Sequence, residues 1–194
     1  MTDKMRAFIA VQLPDVVLGE LRRALNLMRG AEIHNLRTVK PEGIHLTLKF
    51  LGDIENSQVE PLIVAMKKAA SEVQPFKIHL GKTGAFPNIQ SPRVLWAGVD
   101  GEMESLRAIQ QSLEKAVEGL GVEGERREYN PHLTMARIRG GASDEEGQKV
   151  AQLLSITILD ESLSIPVDSI SLMRSTLTPN GAVYDRLASA TLGG

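Results

Sequence analysis

The chain has 194 residues, 42% of them apolar and 24% charged, with a formal net charge of −2 and no cysteine. That length suits one domain, or two small lobes around a shared core, and the composition is that of a globular protein. The charge excludes a general nucleic-acid binder held by bulk field, and the missing cysteines exclude disulfides, thiolate metal sites and cysteine nucleophiles.

Met5 to Leu13 is apolar and β-rich and predicts a strand; it is too short to cross a membrane, and no signal-peptide cleavage pattern comes after it. Pro14-Asp15 then opens a helix, with Val17, Leu18, Leu21, Leu25 and Met28 at helical spacing and Gly30 as its stop. Ile33 to Val39 predicts a weak strand, Pro41-Glu42-Gly43 a turn, Ile44 to Leu51 an alternating strand ended by Gly52-Asp53, and Ser57 to Val73 a second helix. Phe76 to Leu80 and Arg93 to Val99 read as strands joined by a loop over Gly81 to Pro92. Met103 to Leu120 predicts a helix, and His132 to Ile138 a strand after Pro131. After Gly140-Gly141, Ser143 and Glu146 form a capping-box signature for a helix running to about Leu154. Ser155 to Ser164, Asp168 to Leu177 and Ala182 to Leu187 are the remaining predicted strands, the last two joined by the turn signal Thr178-Pro179-Asn180-Gly181.

The second half repeats the order of the first, and one tetrapeptide pattern recurs with it. Residues 44–49 read IHLTLK and residues 131–136 read PHLTMA, so His-Leu-Thr stands twice, each time after a turn and at the start of a predicted strand. In a strand, residues i and i+2 share a face. His45 therefore projects with Thr47, and His132 with Thr134, while Leu46, Leu48, Leu133 and Met135 anchor the opposite face. Packed about a pseudo-twofold axis, the two strands line one cleft with two imidazoles and two hydroxyls. Such a set suits phosphodiester cleavage: one imidazole takes a proton from water, the other gives one to the leaving oxygen, and the hydroxyls donate to non-bridging phosphate oxygens. A lone histidine at a strand start is ordinarily a solvated residue. Here two of only four histidines share one context, whereas His34 and His79 lack it and read as structural or surface residues.

At these residues the chain resembles the two-histidine phosphoesterase superfamily, and within it the RNA 2′,3′-cyclic phosphodiesterases, also called 2′-5′ RNA ligases. The resemblance runs from Arg6-Ala7-Phe8-Ile9-Ala10 through His45-Leu46-Thr47-Leu48-Lys49-Phe50-Leu51-Gly52, Gly84-Ala85-Phe86-Pro87, Arg93-Val94-Leu95-Trp96-Ala97-Gly98 and Pro131-His132-Leu133-Thr134-Met135-Ala136-Arg137 to Leu172-Met173-Arg174-Ser175, Gly181 and Tyr184. It implies an α+β fold spanning 1–194 as a single two-lobed domain, with pseudo-twofold-related lobes, antiparallel sheets facing a central cleft and helices outside. It implies opening of a 2′,3′-cyclic phosphate to a 2′-phosphomonoester without metal or other cofactor, with His45 as proton donor and His132 as proton acceptor. The near-symmetry of the motifs leaves those two roles undistinguished on physical grounds. Reversible 2′-5′ ligation would be the reverse chemistry in the same cleft. The chain departs from the family pattern at Met135, a volume-conserving change, and at Thr38, where relatives often carry Trp.

Arg126, Arg127, Arg137 and Arg139 cluster around the second motif, and Lys49 shares the first motif's face by parity. Of these, Arg137 is the candidate substrate contact, although simple alternation sets it opposite His132 unless a bulge re-aims it. Phe50 has the parity of the core face; Tyr184 either closes the cleft or caps a sheet. The expected substrate is an RNA end or a nucleotide 2′,3′-cyclic phosphate, handled by a cytoplasmic monomer without membrane or obligate protein partner. The rival readings are a phosphodiesterase for small cyclic nucleotides or ADP-ribose cyclic phosphate, and a non-catalytic RNA-end binding module.

Overall fold

The computed structural model describes residues 4–125, 127–140, 142–179 and 181–194. Nine strands and four helices run in the order β1 (Lys4–Val11), α1 (Asp15–Gly30), β2 (Leu36–Thr38), β3 (Leu46–Glu55), α2 (Asn56–Ser71), β4 (Phe76–Phe86), β5 (Val94–Gly101), α3 (Met103–Val117), β6 (His132–Ile138), α4 (Asp144–Ile156), β7 (Ser164–Val167), β8 (Ser169–Thr178) and β9 (Gly181–Thr191). A single 3-10 turn, Pro41–Gly43, precedes β3.

All strand pairs are antiparallel, in the order β7-β4-β5-β6-β3-β1-β8-β9, with β2 against β6. Read from the middle outward, the order is symmetric. β3, β1, β8 and β9 on one side answer β6, β5, β4 and β7 on the other, and β1-α1-β3-α2 repeats as β5-α3-β6-α4. The halves meet through one residue pair, Leu46 with Leu133, both fully buried. The expected α+β architecture with related halves is therefore present, its two antiparallel sheets joined edge to edge by that single pair.

The helices pack on one face of this sheet. Val17, Leu21, Leu25 and Met28 of α1, Leu62 and Met66 of α2, Leu106 and Leu113 of α3 and Val150 of α4 bury themselves against Ala7, Ile9, Val11, Leu46, Leu48, Leu95, Leu133 and Met135. This is the burial of apolar stripes by which amphipathic helices and strands stabilise each other. The opposite face carries a smaller cluster of Phe8, Ala10 and Met173, with Tyr184 against it.

Three expectations need correction. The Gly81–Pro92 segment is not all loop, since β4 continues to Phe86. Its glycines make room instead of turning the chain: a Cβ on Gly84 would lie 2.4 Å from the Trp96 ring, and one on Gly81 3.2 Å from the Gly98 backbone. Ser155 to Ser164 is not a strand, because α4 runs on to Ile156 and no ladder forms before Ser164. The alternation that suggested a strand is present, with Thr157 and Leu159 buried and Ile156 and Ile158 exposed, but the Thr157 N–H bonds back to Leu153 and Leu154 of the helix. Lastly, β3 starts at Leu46, so His45 stands one residue before it, and His34 lies in a turn rather than in β2.

Candidate active site

The Leu46–Leu133 pair sets the relation between the two motifs. In an antiparallel ladder, neighbours on either side of a pair also face each other. Continuing the register by one residue brings His45 opposite Thr134 and Thr47 opposite His132, so each imidazole lies beside the other motif's hydroxyl. Both leucines point into the core, which turns all four polar residues to the open face.

The two imidazoles are held alike. Nδ1 of His45 lies 2.8 Å from the Gly43 carbonyl oxygen, and Nδ1 of His132 lies 2.7 Å from that of Asn130. A carbonyl only accepts, so each Nδ1 carries the proton and donates, leaving each Nε2 as the variable site. Phe8 stacks on the His45 ring at 4.5 Å and 23°, and Tyr184 meets its edge at 5.0 Å. Phe86 meets His132 edge-on at 4.9 Å. Burial under these rings pushes both imidazoles below the usual histidine value of 6.5. For His45 the Gly43 carbonyl opposes the shift and the charge of His132 adds to it; for His132 the Asn130 carbonyl opposes it and the charge of Arg137 adds to it.

Immediately after each threonine the sheet carries a bulge. Thr47 pairs with Ala10 but Lys49 with Ile9, leaving Leu48 extra. Thr134 pairs with Trp96 but Ala136 with Leu95, leaving Met135 extra. An extra residue reverses the side-chain parity of the strand beyond it. Arg137 is thereby exposed on the histidine face, near enough to His132 and Tyr184 for its charge to be felt by both. The matching bulge overturns two expectations in the first motif. Lys49 leaves the site face and is buried at 3% exposure, where its Nζ donates to Glu114 and to the Glu123 carbonyl, each at 2.8 Å. Phe50 leaves the core and is 58% exposed.

Arg127 and Arg139 are exposed and make no contact with either motif among the described residues, and Arg126 lies outside the described residues. His34 is exposed, and His79 sits in β4 with its Nδ1 3.1 Å from the Leu80 carbonyl; neither approaches the two motifs, as expected. Sequence reasoning missed Phe8 and Phe86 as covers of the imidazoles and left Tyr184 undecided. The signal for Phe8 was its alternation with Arg6 and Ala10 on a strand. For Tyr184 only the β8–β9 register, with Ser175 opposite it and Arg6 opposite Ser175, reveals the placement. Tyr129 adds a tie, its hydroxyl donating to the Thr47 carbonyl at 3.0 Å across the boundary between the halves. Burial raises the Tyr129 phenol, so it stays protonated as that donor.

Two proton-exchanging nitrogens, two hydroxyls and one guanidinium thus share an open face. Among the described residues no group of three His, Asp or Glu side chains is set to hold a metal, and no helix is long and apolar enough to cross a membrane. A family model described as LigT like Phosphoesterase matches the chain twice, over residues 11–96 and 98–184, with each histidine the same distance into its match. The RNA 2′,3′-cyclic phosphodiesterase of Methanothermobacter thermautotrophicus is 33% identical over 181 residues, covering 93% of this chain and 95% of that protein. That of Archaeoglobus fulgidus is 32% identical over 94% of this chain and 98% of its own. The crystal structure of a Thermus thermophilus protein superposes with a TM-score of 0.80 at 31% identity, over 98% of this chain and 99% of that one.

Proposed function

Since the chain belongs to the LigT-like phosphoesterase family and is a hydrolase of phosphodiester bonds, we propose that it opens 2′,3′-cyclic phosphates at RNA ends to 2′-phosphomonoesters. The observation that carries this reading is the matched tethering of the two imidazoles, each with Nδ1–H on a backbone carbonyl and Nε2 free. In the proposed step, Nε2 of His132 takes a proton from water as the water oxygen bonds to phosphorus. The bond from phosphorus to O3′ breaks, and Nε2–H of His45 gives its proton to that oxygen. Thr47 and Thr134 donate to the non-bridging oxygens, and Arg137 balances their growing charge. No metal enters the step. With a 5′-hydroxyl attacking or leaving in place of water, the same cleft supports reversible 2′-5′ ligation. Residues 1–194 act in this reading as one two-lobed domain, a monomer in the cytoplasm.

The test is turnover of a short RNA ending in a 2′,3′-cyclic phosphate, in EDTA, by wild type, His45→Ala and His132→Ala. Each substitution is expected to cost roughly 10²–10⁴-fold, with the 2′-phosphate as the wild-type product. Undiminished turnover in either variant removes the paired-histidine mechanism. Binding without turnover by the wild type favours an RNA-end binding module.

A further inference from the structure

The two halves of the site differ at one corresponding position. Phe50 and Arg137 each stand three residues after a motif threonine, each just past a bulge, and each on the histidine face. One wall therefore ends in a cation and the other in an aromatic ring. Of the one Trp, two Tyr and four Phe, Phe50 is the residue in the exposed class. It is packed on one side only, tilted at 50° with its centroid 6.4 Å from that of Phe8, which in turn stacks on His45 at 4.5 Å. An exposed apolar side chain is ordinary by itself. A bare aromatic face one ring removed from a proton-exchanging imidazole, in a cleft with charge on the opposite wall, is a different matter.

The geometry points to Phe50 as a nucleobase platform. The base stacks on its open face, the attached ribose lies over Phe8 and His45, and the cyclic phosphate extends toward Thr134 and Arg137. This rests on the function proposed above and deepens it in two ways. The substrate must carry a base, and stacking tolerates any base because every base has a π-face. The platform also breaks the near-symmetry of the motifs: with the ribose on the Phe50 wall, His45 faces the leaving ribose oxygen and His132 faces the incoming water. The second half offers no equal surface. Trp96 lies across Gly84 with its indole nitrogen fully enclosed, and Phe86 spends its edge on His132.

The experiment compares kcat/KM for adenosine 2′,3′-cyclic phosphate with that for the same ribose cyclic phosphate bearing hydrogen in place of the base. Wild type, Phe50→Leu, Phe50→Trp and Trp96→Leu are assayed, with thermal melts to confirm folding. Product binding is measured alongside by calorimetry with adenosine 2′-monophosphate. The expected result is a preference for the base-bearing substrate that falls roughly tenfold in Phe50→Leu, through KM, and is kept in Phe50→Trp. Leucine keeps the site apolar without an aromatic face, so its loss of preference identifies stacking. A preference unchanged in Phe50→Leu, or lost in Trp96→Leu alone, overturns the platform while leaving the hydrolysis intact. If wild type turns over neither substrate, the proposed function fails and calorimetry decides Phe50 alone: weaker nucleotide binding by Phe50→Leu upholds the platform, and equal binding overturns it.

Discussion

Two buried imidazoles dominate the behaviour expected at the residue scale. His132 must be neutral to accept a proton, so the rate rises as pH climbs through its value. His45 must be charged to donate, so the rate falls as pH climbs through its own. Burial depresses both below 6.5, and the bell-shaped profile of kcat/KM, which reports the free enzyme, is expected to lie on the acid side of that value. A pH series with a cyclic nucleotide checks this; an alkaline limb above about 7 would contradict the depressed His45. The same shifts act on stability. Just below 6.5 the unfolded chain binds protons at these histidines that the folded chain does not, so they make stability rise with pH across that window.

Legibility at this scale divides along a physical line. His45, Thr47, His132 and Thr134 were readable because a repeated i, i+2 spacing needs only local strand geometry. Lys49 and Phe50 were misplaced, and Arg137 left undecided, by one cause: a bulge inserts a residue that alternation cannot anticipate. The doubled burial at Leu48-Lys49 and at Met135-Ala136 is its imprint in the structure.

Among the elements, the helices were legible and several sheet boundaries were not. The Ser143–Glu146 capping box forms as expected, with Ser143 Oγ accepting from the Glu146 N–H at 3.3 Å and the Glu146 carboxylate accepting from the Ser143 N–H at 2.8 Å. Helices close their hydrogen bonds within themselves, whereas a strand exists only where a partner edge is supplied, which is why the alternating stretch after Ser155 forms none. The bulge in β3 also has an energetic consequence. It drives the Lys49 ammonium into the space between the sheet and α3, where Glu114 is 24% exposed. Lys49→Met is expected to destabilise by about 1–3 kcal/mol, less than the loss of a fully buried pair because water still reaches Glu114. A urea titration with unchanged slope and a lower midpoint would register it; an unchanged midpoint would mean the pair contributes nothing.

For the whole molecule, one contact joins the halves of the ladder and fixes the register of both motifs. Leu46→Ala and Leu133→Ala are each expected to cost about 2–5 kcal/mol as buried large-to-small changes. Because the two side chains share one site, the double variant should fall short of additivity by about 0.5–3 kcal/mol. Denaturation midpoints of wild type, the two single variants and the double variant form the cycle, and strict additivity would show that the halves do not lean on each other there.

The sequence by itself determined the elements whose hydrogen bonds and apolar stripes are local, the doubling of the chain, and the histidine and threonine residues of the paired motifs, since those depend on residue type and short spacing. The tertiary structure alone decided which histidine stands beside which threonine, which rings cover them, and which of Lys49, Phe50 and Arg137 reaches the open face. Those outcomes depend on strand register and on bulges, and both are set by partners that lie far away in the chain.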